Sequence, residues 1–310
     1  MNNIFQSSEW ERFKLCTGYQ KSYWIDDILV LQKNLPFGYS MLYSPRVAER
    51  QRGRETEREL SEQIKKIAKE NNSIFYRLEL DIAKNEPSHS ATPPLRPFQK
   101  SFEEMQPEHT LTLDLTKSEE ELLSQMKQKG RYNIKVAQKN EIKIHFGTGQ
   151  DDIDDFYKLY EQTGKRHRIT YRDKSYFEKL VEILSEKGYC RVYTAQKSIS
   201  GKKIILSAMI VVYSGKTAIY MFGASNDEYK NMMAPYLLQW TAIQDSKAEK
   251  YINYDFFGIA PDDNPRHPWA GVTRFKRQFG GGLVQIEGSY DLILKPVAYQ
   301  LFKIAEKIRR

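Results

Sequence analysis

Apolar residues recur three to four positions apart in ETERELSEQIKKIAKEN (55–71), at Leu60, Ile64 and Ile67, which places them on one face of a helix. The next stretch, SIFYRLEL (73–80), switches to alternation and predicts a strand. Upstream, Ser7 or Ser8 can cap a short helix carrying Trp10 and Phe13. SYWIDDILVLQK (22–33) then reads as a hairpin turning near Asp26-Asp27, and GYSMLYS adds a further strand. Residues 82–107 hold Pro87, Pro93, Pro94 and Pro97 with little periodicity and read as a long loop. TLTLDL (110–115) is a strand, after which Ser118 and Glu121 have the spacing of a capping box that opens the next helix.

A second block follows, with helices over 151–163 and 173–187, strands over 189–196, 203–213 and 216–223, a helix over 235–248, a strand over 251–257 and a late strand over 283–294. Its order of helix, strands, helix and strand repeats that of the first block and implies a diverged duplication, although no repeat of residues is visible. A chain of 310 residues has room for two domains with cores of their own. The expected division is 1–149, completed by 295–310, and 150–294. KPVAYQLFKIAEKIRR (295–310) has the pattern of a basic amphipathic helix, expected to pack on the fold rather than to lie on a bilayer.

Composition narrows the partners. Forty-eight Lys and Arg against 40 Asp and Glu give +8, which favours an anionic partner through long-range attraction. Twenty tyrosines on such a chain can stack on bases or bond to sugars and peptides. Cys16 and Cys190 stand far apart with no CxxC spacing, so neither a disulfide framework nor a zinc site is expected, and a reducing cytoplasm fits. The first residues lack a signal-peptide pattern, and no apolar run reaches the ~18 residues of a membrane span. The expected location is cytoplasmic, with peripheral contact at the inner face of the membrane. There is no GxSxG, no HExxH and no cysteine with a triad neighbourhood, and His89, His109, His145, His167 and His267 are scattered.

The run APYLLQWTAIQDSKAEKYINYDFFGIAPDD (234–263), followed by GVTRFKRQFGG (271–281), sets a helix, a strand ending in Tyr254-Asp255 and a basic-aromatic turn in one order. That order resembles the Fem family (FemA/FemB/FemX-like) of peptidoglycan aminoacyltransferases. The resemblance implies an α+β chain of two GNAT-like acyltransferase domains, each a mixed sheet flanked by helices. It implies the compact form, because 151–188 has room for two ordinary helices and not for a coiled-coil insertion. The reaction it implies moves an amino acid from aminoacyl-tRNA, the co-substrate, to the side-chain amine of the third stem residue of UDP-MurNAc-pentapeptide or lipid II, with no cofactor. Coenzyme A is not expected, since the turn YKNMMAP has no glycine and Pro235 lacks an amide donor. Two other readings remain. One is an acyltransferase of the same fold acting on a lipid head group or drawing on acyl-CoA; the other is a basic tRNA-binding protein without turnover.

The resemblance also points to individual residues. Phe275 and Lys276 match a pair beside the aminoacylated tRNA end, where Lys276 would stabilise negative charge and Phe275 would face the terminal adenosine. Arg172 matches an arginine on the precursor's diphosphate and Tyr176 a tyrosine in the same pocket; four apart, they would share a face of a helix starting near 172. Lys14, four residues after Trp10, matches a lysine on the precursor's phosphates. Tyr220 matches a tyrosine facing the acceptor, while Phe222 stands where a second tyrosine can occur. Glu79 takes the place of an acid proposed to orient or deprotonate the acceptor amine, with Asp81 as its competitor. Each of these residue types also has an ordinary use, as a solvated lysine, a polar loop, a packed tyrosine or a strand-edge acid. Finally, Lys127, Arg131, Lys135 and Lys139 would form a basic stripe for tRNA phosphates on a helix over 119–140, unless Gly130 breaks it. Asp255 is read as an anchor for the loop beneath the site.

Overall fold

A computed structural model describes residues 3–48, 54–84, 97–167 and 172–309. The chain forms two compact units, Asn2–Glu108 with Val284–Arg310, and His109–Leu283.

The first unit opens with helix α1 (Ser8–Cys16), whose first turn is closed by the Ser7 hydroxyl accepting the Trp10 N–H at 3.1 Å. This start turns Trp10 and Phe13 into the core. Strands β1 (Lys21–Ile25), β2 (Ile28–Asn34) and β3 (Ser40–Val47) form an antiparallel meander. Helix α2 (Arg54–Glu70) buries Leu60, Ile64 and Ala68, and carries the chain back so that β4 (Ser73–Ala83) runs parallel to β3. A two-residue strand, β5 (Gln99–Lys100), lies inside the expected loop.

The second unit begins with β6 (His109–Asp114) and two short helices, α3 (Glu119–Gln125) and α4 (Gln128–Lys139). Both capping-box bonds between Ser118 and Glu121 are present. Next come β7 (Lys143–Gly147), α5 (Gln150–His167), α6 (Lys174–Ser185), β8 (Cys190–Ile199), β9 (Lys202–Ser214) and β10 (Thr217–Ser225). Helix α7 (Ala234–Ala248) crosses over to β11 (Asn253–Asp255), parallel to β10, and α8 (Ala270–Lys276) follows. Strands β7 to β10 pair in succession antiparallel, and β6 closes the sheet against β11. The chain then returns to the first unit through β12 (Gly282–Ile293), antiparallel to β4 and β5, and ends in α9 (Pro296–Arg309).

The two sheets share one plan: an antiparallel meander, a helical crossover into a parallel strand, then one antiparallel strand beyond it. The boundaries differ from the expected 149/150 and 294/295. Strand β6 belongs with the second unit because it pairs with β11, and its Leu111 and Leu113 join the core under α7 with Leu238 and Trp240. Strand β12 belongs with the first because it pairs with β4.

Three local expectations change as well. Strand β4 was expected to alternate, yet Ser73 to Leu80 are all buried. Tyr76, Leu78 and Leu80 cluster with the apolar face of α2, while Phe75 on the opposite face meets Tyr299 and Phe302 of α9, so both faces of the strand are covered. Strand β7 escapes the apolar pattern because its side chains are mostly exposed. The helix over 119–140 breaks at Met126-Lys127, not at Gly130. Gly130 sits buried within α4, where a Cβ would come within 2.6 Å of the Gln278 carbonyl. Close approach, rather than helix breaking, explains that glycine.

Candidate active site

The residue that stands out chemically is Lys276, the last residue of α8. Its side chain is 6 % exposed, and its Nζ donates to the carbonyls of Phe257, at 3.1 Å, and Gly258, at 2.7 Å. The Tyr220 ring also faces the amine, its centroid 5.4 Å away. Burial pushes the amine down to about 7, against the opposing pull of Asp255. An amine in this state can exist charged or neutral near neutral pH, which suits a group that meets a developing charge.

The loop beneath Lys276 is held in an unusual shape. Strand β11 ends at Asp255, whose Oδ1 accepts the Thr110 hydroxyl and, at 2.7 Å, the Phe257 N–H. Phe257 adopts φ +56°, a left-handed conformation that costs a phenylalanine energy and persists because both flanks are tied. Thr273 of α8 accepts the Ala260 N–H at 2.8 Å, so the helix is stitched to the same loop one turn before Lys276. Asp255 thus anchors the loop whose carbonyls receive Lys276.

Tyr220 lies on β10, and burial pushes its phenol up to about 12, so it stays a neutral hydroxyl. Gly223, three residues on, is what lets it sit there: a Cβ at Gly223 would fall on the Tyr220 hydroxyl. Nothing in the sequence around 223 marked that glycine, because the contact arises from a bulge in the β9–β10 pairing between Tyr220 and Phe222. Phe275 is partly buried, its ring edge-on to Tyr236 at 5.1 Å and to Phe279 at 5.4 Å. It packs the base of α8 beside Lys276.

The same strand carries Phe222 into a second cluster. Phe222 meets Phe177, Tyr160 and Tyr176 edge-on, at 5.1, 6.3 and 6.3 Å between centroids. Three rings occupy its surroundings, which accounts for phenylalanine at this position. Helix α6 starts at Lys174 after Asp173, so Arg172 lies before the helix rather than in its first turn. The expected pairing nevertheless forms, with the Arg172 guanidinium 4.3 Å from the centroid of the Tyr176 ring. Arg172 is exposed and Tyr176 half-buried. His167, next to this segment, lies at the end of α5, and residues 168–171 are outside the described residues.

Lys14 and Glu79 belong to the first unit. The Lys14 ammonium lies 5.1 Å from the Trp10 ring centroid, 5.4 Å from Phe13 and 5.7 Å from Tyr19, a set of rings that steadies a cation. Glu79 is fully buried. Its oxygens accept from the Tyr43 hydroxyl at 2.7 Å, the Gln106 N–H at 2.9 Å and the Arg46 N–H at 3.3 Å. Burial raises its pKa, opposed chiefly by the charge of Arg46. This carboxylate ties β3, β4 and the segment at 106 together instead of standing at a strand edge. Asp81, its competitor, is 42 % exposed and pairs with Arg46 at 3.1 Å. Of the basic stripe, Lys127, Lys135 and Lys139 are exposed. Arg131 turns inward to donate to the carbonyls of Leu123 and Met126 at the end of α3.

Comparison with known proteins places the fold and the sequence among relatives. The chain is 22% identical over 316 residues to the lipid II:glycine glycyltransferase of Staphylococcus haemolyticus, covering 79% of this chain and 74% of that one. It is 21% identical over 261 residues to the enzyme of that name from Staphylococcus aureus, covering 64% and 62%. Among solved structures, that of FemX superposes with a TM-score of 0.84 over 96% of this chain and 94% of its own, at 20% identity, which shows a shared fold. The FemAB family matches residues 89–196 and 189–307. With the fold, the two sheets and the Lys276 loop in place, the chain belongs to the FemAB family.

Proposed function

We propose that this FemAB-family aminoacyltransferase adds an amino acid, carried by aminoacyl-tRNA, to the side-chain amine of the third stem residue of a peptidoglycan precursor. The observation that carries the reading is the buried Lys276 amine, fixed by two backbone carbonyls against Tyr220 in a chain of this family. The curated relatives are named for glycine transfer to lipid II, which supports a lipid-linked precursor as acceptor, with the nucleotide-linked form as its alternative.

In this reading the neutral acceptor amine attacks the ester carbonyl of the charged tRNA. A C–N bond forms, the C–O bond to the terminal ribose breaks, and the amine's proton leaves with the ribose hydroxyl or to water. The protonated form of Lys276 offsets the negative charge that builds on the carbonyl oxygen. The ester supplies the driving force, so neither ATP nor a cofactor is needed. Arg172 holds the precursor's phosphates, and Tyr176 and Tyr220 line the acceptor's path. The Glu79 carboxylate, already bonded to three donors, serves better as an anchor than as the base.

The test is a mass spectrum of UDP-MurNAc-pentapeptide, and separately of lipid II, after incubation with the protein and bulk charged tRNA. A gain of one residue mass names the amino acid and the acceptor together. No gain on either, with tRNA shown to be charged, returns the choice to the lipid-head-group and tRNA-binding readings.

A further inference from the structure

Helix α9 presents its apolar residues the wrong way for a helix that only packs on its own fold. Tyr299 is buried and Phe302 half-buried against Phe75 and Phe102, yet Val297, Leu301, Ile304 and Ile308 are 77%, 64%, 55% and 81% exposed. These four are spaced by four, three and four, so they form one stripe on the side away from the fold. Beside them stands Phe37, 95% exposed, at the tip of the β2–β3 turn with φ +62°. Phe37, Leu35 and Pro36 line a groove of about 460 Å³ together with Val297, Leu301 and Phe302. One face of the first unit therefore offers a continuous apolar surface.

The charge around that surface decides its partner. Over 295–309 the chain carries Lys295, Lys303, Lys307 and Arg309 against a single acid, Glu306, which pairs with Arg309 at 2.6 Å. Lys295 bonds Asn72 and Lys303 lies over the Phe102 ring, while Lys307 is exposed beside the stripe. A second copy of the chain meeting this face would bring further lysines against these. An anionic head-group layer would neutralise them while the apolar stripe enters the acyl boundary. We propose that the Phe37–α9 face docks the protein peripherally on an anionic lipid bilayer. Unlike the acceptor assignment, this rests on the first unit alone, and no helix among the described residues is long and apolar enough to cross a membrane.

The experiment is flotation of the full chain with vesicles of mixed phosphatidylcholine and phosphatidylglycerol, compared with phosphatidylcholine alone. The wild type is expected to float with the anionic vesicles and poorly with the neutral ones. The double variant Leu301→Glu/Ile304→Glu should lose about tenfold or more in bound fraction. Lys307→Glu should lower affinity for the anionic vesicles roughly fivefold. Both replace exposed side chains, and unchanged circular dichroism melting shows that they fold. Wild-type protein that stays unbound, or a double variant that floats as well as the wild type, overturns the proposal. So does light scattering that shows a dimer split by the double variant without vesicle binding, which would give this face to a second copy. Precursor modification is read in a separate assay, so failure here leaves the transfer reaction standing.

Discussion

Lys276 is an amine in surroundings where charge is costly. An unfolded lysine titrates near 10.4, while burial holds this one at about 7. Between those values the unfolded chain binds a proton that the folded protein does not. Stability from this group is therefore complete above the unfolded value, falls as pH drops toward 7 and is level below it. The slope is at most about 1.4 kcal/mol per pH unit. Lys276→Met should flatten denaturant-derived stability between pH 7 and 9 relative to wild type. In the transfer assay Lys276→Ala should cost about a hundredfold or more in turnover, the scale of a lost oxyanion contact; full activity in a folded variant would sink the proposed chemistry. Gly223→Ala is expected to displace the Tyr220 hydroxyl and cost about 1–3 kcal/mol of stability through overpacking, measured by chemical denaturation. Arg172→Ala should raise the acceptor's KM with little change in kcat, by the equivalent of about 1.5–3 kcal/mol for a lost charged hydrogen bond; an unchanged KM removes Arg172 from the site.

At the scale of elements, the site depends on short pieces whose positions are tied rather than propagated. Helix α8 has only the seven residues Ala270–Lys276, too few to stand alone. Its place comes from the Thr273 bond to Ala260 and the Lys276 bonds to Phe257 and Gly258. Helix α3 is equally short and rests on its capping box, with Arg131 closing its far end by donating to Leu123 and Met126. Ser118→Ala should cost about 1 kcal/mol, visible as a lower denaturation midpoint with an unchanged denaturant slope.

At the scale of the molecule, +8 net charge favours polyanions, and packing decides which cations face outward. Arg77 is fully buried with two acids, Asp291 and Glu103, so that cluster takes no positive excess from the surface, while Arg131 is turned toward the carbonyls at the end of α3. The exposed part of the basic stripe is Lys127, Lys135 and Lys139. Lys135→Glu with Lys139→Glu should weaken tRNA binding at low salt and reduce the slope of log affinity against log salt by roughly 2. An unchanged slope would show that tRNA is held elsewhere.

Local pattern and capping determined most elements from the sequence, because α2, α7 and the hairpins owe their form to neighbours within a few residues. The run from Ala234 to Gly281 also carried the resemblance to the family, through which Lys276 and Arg172 became candidates. What it left undecided depends on partners far away in sequence. Strand β4 became doubly buried only when α9, more than two hundred residues later, closed over its second face. Glu79 became an enclosed anchor through Tyr43, Arg46 and Gln106, and strands β6 and β12 changed units because pairing, not order, assigns a strand. The carbonyls of Phe257 and Gly258, the space at Gly223 and the inward turn of Arg131 are backbone and close-contact features that residue type does not encode. Burial by distant segments sets the Lys276 proton affinity, and only the tertiary structure brings those segments together.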